Sequence, residues 1–143
     1  MDDNRRAQDI FNRLVAIQAA LQSNLAKMAE GMGLSVAQAS VAQDLAEHPG
    51  STLQEVCQRL GWPKSSVSRL VDDLVNRGMA IRKVPAENRR TVVLSLNRTT
   101  ENHCQIGTLD QFFPGAEGKL DAAEVEALEN NLDRLLVLLK PHT

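Results

Sequence analysis

Residues 52–96 read TLQEVCQRLGWPKSSVSRLVDDLVNRGMAIRKVPAENRRTVVLSL, and this stretch decides the fold. In order, it contains a short amphipathic helix, a tight turn, a longer amphipathic helix and two strand-like runs joined by a basic turn. This order is typical of a winged helix-turn-helix, in which one helix enters the DNA major groove and a hairpin lies beside it. The sequence therefore predicts a mainly α fold with a small β-hairpin wing.

The first helix of this segment is predicted from its two ends and its apolar face. Thr52 can cap it, because Glu55 stands at the spacing of a capping box. Gly61 suits the positive φ that often follows a helix. The apolar positions recur at helical spacing: Leu53, Val56, Cys57 and Leu60.

The second helix carries the candidate recognition surface. Pro63 suits its first turn, where a missing N–H costs nothing, and Gly78 closes it. Its apolar stripe comprises Val67, Leu70, Val71 and Leu74. Hydroxyl and basic side chains, which can approach base edges in the major groove, gather near its N-terminal end: Lys64, Ser65, Ser66, Ser68 and Arg69. The alternative is an ordinary solvated helix with a serine-rich first turn.

A hairpin is predicted from two runs of β-branched and aliphatic residues, 79–84 and 91–96. The second run alternates as a half-buried strand should, with apolar residues at Val92, Leu94 and Leu96. The turn between the runs, PAENRR at residues 85–90, is basic near its tip. Such a tip tends to meet phosphates or a narrow minor groove, so the predicted wing contacts are Asn88, Arg89 and Arg90. The alternative is a solvated surface turn.

Four short motifs carry a family resemblance: LSVAQ at 34–38, PKSSVSRLV at 63–71, NRG at 76–78 and NRR at 88–90. With them, residues 34–98 closely resemble the MarR family of bacterial winged-helix transcription regulators. The resemblance implies a homodimer, usually a repressor, that binds a pseudo-palindromic operator in double-stranded DNA. An additional backbone contact is predicted for Arg77.

The resemblance also divides the chain into three parts. It implies an N-terminal dimerisation helix at 1–33, a DNA-binding domain at 34–98 and C-terminal dimerisation helices at 99–143. Family members often bind small aromatic acids between the dimer helices and the DNA-reading domain, and the sequence leaves the identity of any such effector open.

Two features depart from the family pattern. The family's wing usually carries Asp at the position of Asn88, two residues before Arg90, where the carboxylate helps to hold the wing arginine. The family also continues from the wing into a long helix. Here glycine and proline limit that helix to about residues 100–113. The limiting residues are Gly107, Pro114, Gly115 and Gly118.

Composition and charge agree with this interpretation. The chain has 143 residues, of which 43% are hydrophobic, which is ordinary for one globular domain. The formal charge is −2 overall, but residues 51–98 hold nine Lys or Arg against four Asp or Glu, a local charge of +5. Positive charge is therefore concentrated where DNA is expected. With no signal peptide or membrane-spanning run in the sequence, a cytoplasmic location is expected.

Both ends of the chain carry apolar stripes at helical spacing. An N-terminal helix is predicted to run to about Glu30, where Gly31-Met32-Gly33 ends it. The candidate dimer contacts on the two stripes are Phe11, Leu14, Leu21, Val125, Leu128, Leu132, Leu135 and Leu139. Packing the stripes against a second copy would hide them and set two recognition helices side by side. The alternative is that both stripes pack only within the chain.

Other chemistry in the sequence is sparse. Cys57 is predicted to be a small buried hydrophobe, while Cys104 is expected to be partly exposed, with a redox switch as a minor alternative. His103 adjoins Cys104, but no metal-ligand spacing accompanies them. Neither an enzyme nor a cofactor is predicted, because no phosphate loop or nucleophile elbow occurs. A winged-helix adaptor that binds protein remains the alternative function.

Overall fold

The structure, a computed structural model, describes residues 2–116 and 120–140. Helices α1 to α4 precede a hairpin of strands β1 and β2, and α5 to α7 follow it. The bounds are α1 Asp3–Met32, α2 Val36–Glu47, α3 Leu53–Leu60, α4 Lys64–Asn76, β1 Ala80–Lys83, β2 Val93–Leu96, α5 Arg98–His103, α6 Leu109–Phe112 and α7 Ala122–Leu139, with a 3-10 turn at Pro114–Ala116. The chain forms two compact units, 1–105 and 106–143. The mainly helical fold with a small hairpin is as predicted.

Local capping chemistry sets the ends of the first helices. Ser35 and Gln38 cap α2 reciprocally. Thr52 and Glu55 do the same for α3, with the Glu55 N–H donating to Thr52 Oγ1 at 3.2 Å and the Thr52 N–H donating to Glu55 Oε1 at 2.9 Å. This bond to the Thr52 backbone also lowers the pKa of the Glu55 carboxyl. The capping box predicted for α3 is confirmed.

The turn between α3 and α4 is also set locally. Gly61 has a φ of 70° and ends α3, as predicted. Pro63 differs slightly from the prediction, because its ψ of 147° places it just before the first turn of α4. Its carbonyl accepts the N–H of Ser66 and that of Val67, both at 3.1 Å, so it starts the hydrogen-bond ladder from outside the helix.

Helix α4 ends at a left-handed glycine. Gly78 has a φ of 72°, which costs little only without a Cβ. The Met79 N–H then reaches back to the Leu74 carbonyl at 2.9 Å, satisfying a carbonyl that the helix leaves open. The chain therefore turns sharply from the recognition helix into the hairpin.

One aliphatic core lies among α2, α3, α4 and the hairpin. The predicted stripe of α4 faces it, with Val67, Val71 and Leu74 buried and Leu70 partly buried. From α3, Val56 is buried, while Cys57 is partly buried. The buried hydrophobic residues are Ala29, Leu34, Ala39, Val41, Ala42, Leu45, Val56, Val67, Val71, Leu74, Ala80, Leu94, Leu96 and Cys104. This packing presents the opposite face of α4 to solvent.

The hairpin is shorter than predicted and is attached to a third segment. Strands β1 and β2 pair antiparallel from Ala80↔Leu96 to Lys83↔Val93. Val92 lies before β2 and is 44% exposed, so the predicted alternation holds for Leu94 and Leu96 but not for Val92. The Leu94 N–H donates to the Ser51 carbonyl at 2.8 Å, which anchors the wing to the α2–α3 connection.

The segment after the wing is not one helix over residues 100–113, as predicted, but two short ones. Asn97 caps α5, and Thr108 opens α6 with a new capping box. Between them Gly107 has a φ of 94°, which a continuous helix does not allow. The predicted break at Gly118 lies outside the described residues.

Cys104 was expected to be partly exposed, and this is wrong. Its side chain is buried at the end of α5 and packs into the core. Burial raises the pKa of the Cys104 thiol, with the nearby Glu101 carboxylate acting in the same direction. Because the reactive form is the thiolate, this environment disfavours the proposed redox role.

Candidate nucleic-acid interface

The exposed face of α4 carries four of the five predicted recognition residues. Lys64, Ser65, Ser66 and Arg69 are all exposed. No side chain caps the start of α4, so the first turn keeps free N–H groups and a partial positive charge toward solvent. Hydroxyl, cationic and N–H donors are therefore gathered at one end of the helix, where they can meet phosphate and base acceptors.

Ser68 has a different environment from the other four residues. It is partly buried and lines a cavity of about 230 Å³ between α4 and the hairpin. The cavity is lined by Leu53, Ser68, Val71, Arg82, Val92 and Leu94. Ser68 thus faces the wing more than the open surface of the helix.

The wing tip is ordered by a side-chain hydrogen bond. Asn88 Oδ1 accepts the backbone N–H of Arg90 at 3.2 Å. The Asn88 N–H donates to the Pro85 carbonyl, also at 3.2 Å. Such an Asx turn fixes the backbone through a neutral acceptor, so the amide orders the tip without holding a guanidinium. The side chains of Arg89 and Arg90 are exposed beside it.

An ion pair joins the recognition helix to the wing. Arg82 Nη2 on β1 donates to Asp72 Oδ1 on α4. Both side chains remain about half exposed, at 43% for Arg82 and 54% for Asp72. Sequence reasoning missed this pair, because the two residues lie on different elements and no local motif links them.

A second missed network supports the base of the wing. Arg59 binds the Asp44 carboxylate with two nitrogens, Nε and Nη2, each at 2.9 Å, and Nη2 also donates to Ser51 Oγ at 2.6 Å. The hydrogen bond to Asp44 raises the pKa of Arg59. Because the Ser51 backbone pairs with Leu94, this network holds together α2, α3 and the segment that anchors β2.

Arg77 caps α4 and contacts α1. Its guanidinium donates through Nη1 to the Gly33 carbonyl at 2.8 Å, just beyond the end of α1. The predicted contact with a DNA backbone would therefore have to come from its other nitrogens. This contact stays a prediction.

The predicted dimer residues lie on largely exposed faces of α1 and α7. On α1, Phe11 is 60% and Leu21 is 50% exposed, while Leu14 is partly buried. On α7, two of the predicted dimer residues, Val125 and Leu135, are partly buried. The other three are exposed: Leu128, Leu132 and Leu139. Large apolar side chains recurring along one helix face are typical of an association surface.

Two other features bear on the class of protein. Among the described residues, no group of three or more His, Cys, Asp or Glu side chains could hold a metal ion. Within the same part of the chain, no helix has the length and apolar character needed to cross a membrane.

An exposed helix beside a basic hairpin, both on one small helical core, defines a winged helix-turn-helix protein. Residues 32–91 match the MarR family. The matched segment is 60 of the 143 residues and runs from the end of α1 to the turn of the hairpin. No curated protein gives a significant sequence match.

Solved structures share this fold at low sequence identity. MarR from Listeria monocytogenes is 21% identical, with a TM-score of 0.63 over 99% of this chain and 100% of that one. Staphylococcus aureus MarR in complex with salicylate and kanamycin is 20% identical, with a TM-score of 0.74 over 96% and 95%. A mutant of S. aureus MepR bound to an oligodeoxyribonucleotide is 18% identical, with a TM-score of 0.58 over 91% and 98%.

Proposed function

We propose that this protein is a homodimeric, sequence-specific DNA-binding transcription regulator that represses from a pseudo-palindromic operator. The observation that carries the proposal is the joint surface of α4 and the wing, where exposed hydroxyl and cationic side chains stand on two elements joined by an ion pair. The net charge of +5 over residues 51–98 supports it, because phosphate contacts supply much of the affinity for DNA. The MepR structure with bound oligonucleotide gives a precedent in the same fold.

In this proposal α4 reads the major groove. Arg69 and Ser66 contact base edges or the adjacent phosphates, with Lys64 and Ser65 in support. Arg pairs bidentately with guanine O6 and N7, and serine hydroxyls are short enough to let the helix lie deep in the groove. Ser68 lines the cavity between α4 and the hairpin and contributes to the DNA interface where this helix and the wing meet.

The wing supplies the second part of the interface. Arg90 enters the minor groove, where a narrow A·T-rich stretch attracts a guanidinium most strongly. Arg89 binds phosphate, and Asn88 holds the turn that presents both. Arg77 adds a backbone contact with the nitrogens that Gly33 leaves free.

The proposal is tested by selecting bound fragments from genomic DNA and measuring their affinity against mixed DNA at two salt concentrations. Enrichment of one pseudo-palindromic sequence is the expected result, and the neighbouring genes then identify the regulon. A winged-helix adaptor would instead show neither heparin retention nor a gel shift on mixed DNA at low salt, and that result would refute the proposal.

Arg69→Ala is expected to lower the affinity for the selected operator by roughly 1–3 kcal/mol and to relax specificity at one position of each half-site. The reason is that a bidentate guanidinium–guanine pair discriminates among bases. Competition binding against operators with single-base changes measures it. Lys27→Ala removes one positive charge from an exposed position on α1 and is the matched control. Equal losses of affinity on operator and random DNA would assign Arg69 to the backbone.

Asn88→Asp is expected to preserve or modestly raise affinity for the operator. A carboxylate at this position can still accept the Arg90 N–H, and a charge-assisted bond is usually stronger than a neutral one. Asn88→Ala, which removes the acceptor, should lower affinity and serves as the comparison. Both are measured by titration at two salt concentrations. A loss of affinity in Asn88→Asp that grows as salt falls would mean that repulsion from phosphate dominates.

A further inference from the structure

The recognition face of α4 contains an acidic residue. Asp72 lies one helical turn beyond Arg69, and both are exposed. Residues at this spacing share one helix face. An acid on that face is unfavourable for the proposed function, because its charge repels the phosphates that the neighbouring cations attract.

Asp72 also stands where it can compete with DNA for Arg69, the residue expected to contact bases. Arg and Asp at positions i and i+3 of a helix are close enough to pair. If Asp72 took the Arg69 guanidinium, the donors needed for a base edge would be occupied. The Asp72 carboxylate would therefore weaken DNA binding in two ways, by repelling phosphates and by competing for the Arg69 guanidinium.

The structure shows a different partner for that carboxylate. Arg82 approaches from β1, and its Nη2 donates to Asp72 Oδ1. The same contact ties the first wing strand to the middle of the recognition helix. An exposed ion pair of this kind contributes little to folding stability, so its consequence should appear in binding and not in the unfolding midpoint.

We propose that Arg82 is a positioning residue for DNA recognition. By pairing with the Asp72 carboxylate, Arg82 leaves the Arg69 guanidinium free for DNA. The same pairing neutralises a negative charge that would otherwise repel the phosphates. This inference rests on the proposed DNA-binding function. Arg82 acts here through Asp72, and no contact of its own with DNA is required.

The test is a set of four variants on the selected operator: Arg82→Gln, Asp72→Asn, the two together, and Arg82→Lys. Arg82→Gln exposes the unpaired carboxylate and should weaken binding about tenfold, an effect that shrinks as salt rises. Asp72→Asn should keep wild-type affinity or better. The double variant should bind like Asp72→Asn, because the carboxylate that made Arg82 necessary is gone. Arg82→Lys retains the positive charge and should recover most of the affinity.

The outcomes separate this inference from the function on which it rests. If wild-type protein binds the operator but Arg82→Gln loses the same factor with and without Asp72→Asn, Arg82 contacts DNA directly and the inference fails alone. A tenfold loss in Asp72→Asn itself would also overturn it. If the wild-type protein binds no DNA at low salt, the inference and the proposed function both fail. Thermal unfolding of every variant checks the fold, and a midpoint lowered only in Arg82→Gln would indicate a structural role instead.

Discussion

Replacing Leu132 and Leu135 together by Asp is expected to convert the proposed dimer into monomers and to lower affinity for the operator by on the order of 100-fold. The two residues lie on the apolar stripe of α7, where Leu132 is 50% exposed and Leu135 is partly buried. Burying a carboxylate without a partner in an apolar contact is strongly unfavourable, so two of them in each subunit should prevent association. A monomer then engages one half-site and loses the gain from binding two at once.

Light scattering with binding titrations on the same samples measures both effects. Asn130→Asp with Asn131→Asp adds the same two charges at exposed polar positions of α7 and should change neither mass nor affinity. The operator spacing gives a second check, since a two-fold dimer predicts half-sites roughly 10 base pairs apart, centre to centre. A wild-type protein that is already monomeric at micromolar concentration would contradict the proposal, as would full operator binding by the monomeric variant.

The exposed apolar faces support the proposed association of two chains. Phe11 and Leu21 remain at least half exposed on α1, and Leu128 and Leu139 are exposed on α7. Each large apolar side chain moved from water into an interface contributes roughly 1.5–3 kcal/mol. Repeated along two helices, this is enough to offset the entropy lost when two chains associate.

Local chemistry explains why much of the fold could be predicted. The capping box of Thr52 and Glu55, the glycine ends at Gly61 and Gly78, and the buried stripe of α4 depend on residues at most four positions apart. Capping boxes and glycine helix ends are set by local backbone geometry, so they can be recognised from the sequence alone. The same is true of the clustering of Lys64 to Arg69 at the exposed start of α4.

What the sequence did not reveal depends on contacts between distant residues. Arg59 reaches Asp44, Ser51 pairs with Leu94, and Arg82 reaches Asp72, and none of these partners is indicated by spacing along the chain. The burial of Cys104 is of the same kind, since it follows from how α5 lies on the core. Helix breaking at Gly107 was a misjudged local signal, because the glycine was named among the residues that limit the helix while the helix was still predicted to run through it, whereas it forms a turn within the segment.

Asn88 illustrates a resemblance that holds in position but differs in chemistry. In the family pattern an Asp carboxylate at this position helps to hold the wing arginine. The amide instead accepts the Arg90 backbone N–H. The tip is therefore organised before DNA arrives, while both arginine side chains stay exposed for the ligand.

Removing both wing arginines, as Arg89→Ala with Arg90→Ala, is expected to weaken operator binding by on the order of 100-fold at low salt, because each phosphate left without its arginine keeps its condensed counterions. In a dimer the two changes affect up to four arginines at the DNA. The slope of log affinity against log salt should flatten by roughly 0.9 for each phosphate that the variant no longer neutralises. The preference for A·T-rich flanks should fall as well, since Arg90 is the residue proposed to enter the minor groove.

Titrations between about 50 and 200 mM salt give the slope directly. The control is Arg5→Ala with Lys27→Ala, which removes the same charge from exposed positions on α1. If binding depended only on net charge, control and wing variant would lose affinity and slope alike. A wing that enters the groove predicts a different result: the control keeps its slope and flank preference, while the wing variant loses both. A wing variant that keeps the wild-type slope would show that the wing stays clear of the DNA and that α4 carries recognition alone.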